Sequence, residues 1–509
     1  MARQFWWVLA VLGIAFGVKA QGQNVPLGIN LAGVADWSTQ YPFANAFRSA
    51  REWISQREGA GWGEGGPLAL TPEGWVAELE SGQYAETLLF SHAPELAAGM
   101  DGMYTLLYTG DGEIAFRGSN VTIVESAPGR MLLDAKPTQG PIFLQIVATN
   151  PQNPIRDIRL YLPGTDETMT FNPRFLEMLG PFDALRFMDW MSTNNAAISA
   201  WEERPMLTDA VWSVKGVPVE IMVELANTLG KDAWFNMPHR ATDDYVRRFA
   251  AYVAANLDPA LTAYVEYSNE TWNGQFEQAF YMSDEGLALN LAPGDAFWSG
   301  LRYYSKRAVE IFGIWQEAFA ARPGTLARVL ASQAANAWTA EQIAEFENAA
   351  ASADAVAIAP YFSCDDPGSP DNAAATVSAG LDALLAQQMA NVQMDGCAMA
   401  YVRANLEVAQ RYGLELVAYE GGQHLAGHGG AENDEALTAL FVAANRDPRM
   451  EAIYRAYLQN WQALGGGAFM AFADVGEYGK FGSWGALETL NQGFETAPKF
   501  RALAAFAAG

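Results

Sequence analysis

The sequence predicts an α/β protein: a (β/α)8 barrel with an inserted antiparallel β-sandwich. Three observations lead to this. Eight short, nearly continuous apolar runs recur along the chain. From residue 181 onward they alternate with stretches of helical periodicity. The interval between the first and second runs is far too long for one helical crossover, and it breaks into short alternating segments instead.

The runs, in order, are 26–31, 185–188, 233–237, 262–267, 327–332, 355–359, 416–419 and 467–472. Their lack of polar alternation suits strands covered on both faces, as in a parallel sheet, and eight such units close a barrel. Between them, 220–229 and 243–256 carry apolar residues at helical spacing, and a long helical region is expected from 274 to about 320. After the first run comes a Gly-rich bridge over 59–66. Short β-rich segments follow at 103–108, 113–117, 121–124, 131–133, 142–147 and 158–162, punctuated by turns such as Pro128-Gly129 and Asn150-Pro151. The expected organisation is therefore a signal peptide over 1–20, first barrel strand and linker over 21–65, inserted β-sandwich over 66–165, and the rest of the barrel over 166–509. Two independent domains in series would leave 26–31 without its role as first strand.

Composition narrows the function. The chain has 509 residues, 50% hydrophobic and 12% aromatic, which excludes a disordered chain and allows a large core plus an accessory domain. Arg3 precedes an unbroken apolar stretch over 5–18, and Val18-Lys19-Ala20 offers a cleavage site. The stretch falls short of the roughly 20 residues that span a bilayer, so cleavage after Ala20 and secretion, extracellular or periplasmic, are expected. Lysine plus arginine number 31 against 58 acids, a formal charge of −27, and losing Arg3 and Lys19 takes it to −29. Such a field repels phosphate backbones, acidic glycans and anionic lipid. The expected partner is a neutral polysaccharide or oligosaccharide, with no nucleic acid and no membrane once the signal is removed. Cys364 and Cys397 could pair in an oxidising compartment, and sequence leaves that open.

Barrel active sites gather at the C-terminal ends of the strands. The fourth run leads into Asn269-Glu270, and the seventh into Glu420-Gly421-Gly422. Two carboxyls facing each other across a barrel mouth suit glycosidic cleavage, where one protonates the leaving oxygen and the other attacks the anomeric carbon. Glu266, four residues before Glu270, shares its strand face one layer deeper and is read as supporting. His424 and His428 have the spacing of helical metal ligands, but Gly421, Gly422 and Gly427 disfavour a helix there, so neither metal nor cofactor is expected. P-loop, dinucleotide and GxSxG motifs are absent from the sequence. Of the 16 tryptophans, Trp37, Trp190, Trp272 and Trp338 fall just after proposed strands, where flat faces could stack on pyranose rings.

On these residues the chain resembles glycoside hydrolase clan A, the retaining barrel group that includes the family five cellulases and mannanases. The resemblance implies Glu270, following Asn269, as acid/base and Glu420 as nucleophile. It also implies Arg186 on strand two, His239 after strand three, Tyr361 touching the nucleophile after strand six, and Trp484 as a sugar floor after strand eight. Trp37, Trp272 and His424 complete the candidate substrate contacts. Arg186 would hold Glu420 ionised, and Asn269 would bond the sugar 2-hydroxyl. The resemblance spans about 25–35 and 170–500 and is one of positions, so the substrate does not come with it. It implies a retaining, endo-β-glucanase-like glycosidase on a neutral β-glucan or cellulose-type polymer. The alternatives are a noncatalytic carbohydrate-binding barrel and a metal-assisted lyase.

Overall fold

The computed structural model describes residues 25–509, and the expected signal peptide lies outside them. Among the described residues, eight parallel strands close into a barrel in sequence order: β1 (Leu27–Asn30), β2 (Ala184–Arg186), β3 (Asp232–Met237), β4 (Ala263–Tyr267), β5 (Leu326–Ala331), β6 (Ala355–Ile358), β7 (Glu415–Ala418) and β8 (Phe469–Ala471). Each of the eight apolar runs is a barrel strand, with ends shifted by no more than two residues.

The helices are α1 (Pro173–Leu179), α2 (Val219–Leu229), α3 (Asp243–Asn256), α4 (Glu277–Ala288), α5 (Ala296–Ala318), α6 (Ala337–Glu345), α7 (Ala373–Asn391), α8 (Cys397–Tyr412), α9 (Glu435–Arg446), α10 (Arg449–Leu464) and α11 (Pro498–Ala507). The long helical region expected over 274–320 is instead a hairpin, α4 followed by α5. Asn290 at φ 57° and Gly294 at φ 80° flank Pro293 in the turn, where proline lacks the N–H that a continuing helix needs. Gly286 lets the two helices meet, because a Cβ there would lie 2.2 Å from the Ser299 carbonyl oxygen.

The barrel interior is layered. Trp234 and Tyr264, paired across β3 and β4, stack at 5.1 Å, and Met470 shares their apolar cluster with alanines 184, 331, 355, 357, 359 and 468. The large rings fill a narrow lumen, so the facing positions must be small. Gly28 is the extreme case, since a Cβ there would meet the Met470 sulfur at 2.1 Å. The strand positions two residues further on are polar: Asn30, Arg186, Asn236 and Glu266, all buried. Register sets this layer, pairing Asn30 with Arg186 and Asn236 with Glu266.

Between β1 and α1 lie two four-stranded antiparallel sheets. One runs in the order Ile54–Arg57, Gln83–Leu89, Ile142–Thr149, Gly112–Arg117. The other runs Arg156–Tyr161, Gly102–Thr109, Arg130–Ala135, Val121–Ala127. Ala85, Ile114, Leu144 and Ile146 from the first join Tyr104, Leu106, Leu133 and Leu160 from the second in one apolar cluster. Bridges Phe43–Phe171 and Asn45–Tyr161 bring the entering and leaving chain side by side, as an insertion requires. The strands Ile54–Arg57 and Gln83–Leu89 carry no clear apolar signature. Their outer face buries Gln56 and Glu86, and Arg117 and Gln145 donate to Glu86 at 2.8 Å.

Candidate active site

Arg186, the last residue of β2, has no exposed surface and organises the barrel mouth. Its Nη1 donates to Asn30 Oδ1 and Glu420 Oε1 at 2.9 Å each, and its Nη2 donates to Glu266 Oε2 and Asn269 Oδ1 at 2.9 Å each. Nε adds a second bond to Glu266 Oε2, at 3.2 Å. One rigid fork thus joins residues from β1, β2 and β4 and from the loops after β4 and β7. Burial disfavours its charge, but Glu266 and Glu420 outweigh that and hold its pKa above the ordinary value.

Glu266 lies inside the barrel, where Trp234 Nε1 and Asn236 Nδ2 also donate to its Oε2 at 2.8 and 2.9 Å. With no exposed surface, it lies as the counter-charge beneath Arg186.

Glu420 follows β7 and is 4% exposed. Its second oxygen accepts from the Tyr361 hydroxyl at 2.9 Å. Burial raises its pKa, with Arg186 opposing and Glu270 adding to the rise. Tyr361, beyond β6, stays protonated because burial and the two carboxylates raise its own pKa.

Glu270 sits at the rim. The chain leaves β4 through Ser268 at φ 60° and Glu270 at φ 43°, left-handed backbone that side chains seldom adopt and that must be held by its surroundings. The holders are present: Ser268 N–H bonds Met237 O at 2.8 Å, and Gln278 Nε2 bonds Asn269 O at 2.8 Å. The Glu270 carboxyl accepts from Asn273 Nδ2 at 2.8 Å and the Tyr419 hydroxyl at 3.3 Å. Burial raises its pKa, and these two donors, with a smaller contribution from Arg186, only partly offset the rise. Because Tyr419 directly precedes Glu420, the same segment positions both carboxyls. The two differ in company: Glu420 is bonded directly to the Arg186 cation, whereas Glu270 is bonded only to neutral donors and feels Arg186 without a hydrogen bond.

Asn269 is held by Arg186 and donates to Asn194 Oδ1 at 3.1 Å. Trp484 stands edge-on to Tyr361 at 5.9 Å and donates its indole N–H to Phe481 O at 2.8 Å, so the long loop after β8 returns to the mouth. His424 is exposed beside it, 5.0 Å from Trp484 and 5.3 Å from Tyr361. Trp37, in the loop after β1, is 60% exposed. Trp272 is half-buried against the core beyond Glu270. His239 is buried, accepts from Arg240 at 3.1 Å and packs on Tyr281; burial first and Arg240 second push its pKa down to about 4. Its ring bonds Arg240 rather than either carboxyl. Trp190 is fully buried among Phe43, Phe175 and Phe187, because the chain turns inward after β2 and not toward the cleft. Among the described residues, no three His, Cys, Asp or Glu side chains stand together as metal ligands.

No protein-family model matches the chain, and no curated protein matches it in sequence. Its structure is similar to those of clan A barrel glycosidases. A Bacteroidetes-affiliated GH5 cellulase aligns over 66% of this chain and 87% of its own, at 12% identity and TM-score 0.37. A broad-specificity GH5 endoglucanase from Clostridium acetobutylicum covers 67% and 91%, at 12% identity and TM-score 0.36. A xyloglucan-specific GH5 endo-β-1,4-glucanase from a metagenomic library, solved with cellotriose, covers 67% and 88%, at 11% identity and TM-score 0.37.

Sequence reasoning missed Asn30, Asn194, Asn273, Gln278 and Tyr419. Asn30 carried a usable signal, a lone amide ending an otherwise apolar strand. Tyr419 had one too, standing immediately before the proposed nucleophile. Asn194 reaches Asn269 from a loop 75 residues earlier, and Gln278 reaches back to it from α4, nine residues on; no run or motif marks either.

Proposed function

We propose that this protein is a secreted retaining glycoside hydrolase that cleaves β-glycosidic bonds of a neutral polysaccharide of the β-glucan or cellulose type. The observation that carries this reading is the unequal pair of carboxyls: Glu420 bonded to the buried Arg186 and Tyr361, and Glu270 bonded to neutral Asn273 and Tyr419. Two buried carboxyls that share a site release their protons in separate steps, and the cation selects which one ionises first. Glu420 is then the carboxylate and Glu270 the acid.

In the first step Glu420 attacks the anomeric carbon as Glu270 delivers its proton to the leaving oxygen. The glycosidic C–O bond breaks and a glycosyl ester forms on Glu420. Glu270, now ionised, takes a proton from water as that water attacks the anomeric carbon, which frees Glu420 and restores the acid. Asn269, locked between Arg186 and Asn194, is placed to bond the sugar 2-hydroxyl. The net charge of −27 favours a neutral substrate. The disulfide between Cys364 and Cys397 fits an oxidising compartment, and with it export.

The test is hydrolysis of β-glucan, cellulose and mannan by the wild type and by Glu270→Gln and Glu420→Gln. Each substitution should lower kcat by about 10²–10⁴-fold with the fold intact. NMR should show the β-anomer forming first. A variant retaining more than about a tenth of kcat removes its residue from the assigned role, and a first-formed α-anomer removes the retaining mechanism.

A further inference from the structure

The face of α5 turned toward the barrel carries Leu301, Tyr304, Ala308, Ile311 and Trp315, all buried. Tyr304 marks the height of the strand ends. Its hydroxyl accepts the N–H of Ala331, the last residue of β5, at 2.7 Å, and its ring stacks on Tyr267, the last residue of β4, at 5.7 Å. Trp315, further along α5, reaches the middle of β3 through Phe235, so the helix descends the barrel from its mouth. Phe297 lies seven residues before Tyr304. That spacing is close to two helical turns, so Phe297 keeps the barrel-facing direction while rising roughly 10 Å above the strand ends.

At that height the stripe has passed the ends of β4 and β5 that Tyr304 contacts. Phe297 is accordingly 40% exposed, although the residues below it on the same stripe are buried. Its neighbour is Trp338, at the start of α6 beyond β5, which is 41% exposed. The two rings are tilted by only 24° with centroids 6.4 Å apart, too far for full overlap, so each keeps a free face. Trp298 fixes Trp338 from the side at 6.3 Å. It is itself held by Arg302 over its ring at 4.1 Å and by its N–H bond to Gln342 at 2.7 Å. The result is a braced pair of aromatic faces on the α4–α5 hairpin and α6, above the edge of the mouth formed by β4 and β5.

We infer that Phe297 and Trp338 form a distal sugar platform on the leaving-group side of the cleft, stacking on a pyranose ring of a polysaccharide chain that extends past the cleaved bond. This rests on the reading under Proposed function, because Glu270 at the end of β4 protonates the leaving oxygen and so places the departing part of the chain on this side. A flat apolar face recognises a neutral ring without a charged partner, in keeping with an acidic chain. A platform at this distance serves long substrates and gains nothing from a small leaving group.

The experiment compares the wild type with Phe297→Ala, Trp338→Ala and Trp338→Phe on barley β-glucan and on an aryl β-cellobioside. The alanine variants should lose about tenfold or more in kcat/KM on the polymer relative to the aryl glycoside, and Trp338→Phe should recover most of the loss. Equal falls on both substrates, or no fall on the polymer, overturn the platform. Affinity electrophoresis in β-glucan, with each substitution also made in a Glu270→Gln background, reads the platform without turnover. Retardation there should weaken with either alanine variant, and unchanged retardation overturns the inference. A wild type inactive on every substrate but retarded through Phe297 and Trp338 would sink the catalytic reading and leave the platform standing.

Discussion

Replacing Arg186 with methionine tests the electrostatic account most directly. The guanidinium lies 2.9 Å from Glu420 and 2.9 Å from Glu266, with no exposed surface of its own. An opposite charge at such range lowers a carboxyl pKa by about 1–3 units, at about 1.4 kcal/mol per unit. Burial already raises the Glu420 pKa, and Arg186 is the principal opposing group. Its removal should therefore lift the acid limb of kcat/KM by about 1–3 pH units, because the reactive form is the ionised one. The alkaline limb, set by Glu270, should move less. Methionine also strands Glu266 in the barrel, and breaking a buried pair costs about 3–5 kcal/mol, so the midpoint of urea unfolding should fall. Arg186→Lys separates charge from geometry: it keeps a cation but loses the fork, and its limb should lie between the other two. The assay is the pH dependence of kcat/KM on an aryl β-glycoside, taken only over the range where each variant remains folded. If the acid limb of Arg186→Met stays where the wild type has it, Arg186 is a structural strut and the stated origin of the Glu420 charge is wrong.

Tyr419→Phe removes a donor that lowers the Glu270 pKa, so the alkaline limb should move to higher pH while the acid limb holds; a downward shift would contradict the assignment. Asp474, just beyond β8, has its pKa raised to about 7 by burial, despite donors from Ala32 and Val475. The native state therefore binds a proton that the unfolded chain releases near pH 4, and stability from this group is lost as pH rises from about 4 to about 7. Asp474→Asn should flatten the unfolding free energy over that window, measured in urea at several pH values. Reducing the Cys364–Cys397 disulfide, which closes a loop of 33 positions, should cost about 3–4 kcal/mol by loop entropy and be visible in urea unfolding with and without a reductant.

Legibility followed how local each constraint was. The barrel strands were readable because burial on both faces imposes continuous apolar runs, and Glu270 and Glu420 because each ends such a run. The strands Ile54–Arg57 and Gln83–Leu89 were not, because buried Gln56 and Glu86, the latter bonded by a half-exposed Arg117, replace the apolar row that a two-period pattern needs. The α4–α5 break was under-read because helical spacing persists on both sides of Pro293. Trp190 and Trp37 both follow barrel strands, yet one is core and the other 60% exposed, and only the path of the loop separates them.

By itself the sequence determined the eightfold alternation, the presence of antiparallel sheets between the first two barrel strands and the two carboxyls beyond strand ends, because these follow from periodicity and order along the chain. Tertiary structure decided what surrounds those carboxyls. Arg186 touches Asn30, Glu266, Asn269 and Glu420 because barrel closure brings β1, β2, β4 and β7 to one axis, over separations of up to 234 residues. A side chain's charge state depends on the groups within a few ångströms of it. Only closure of the barrel gives Glu420 a cation and leaves Glu270 with neutral donors.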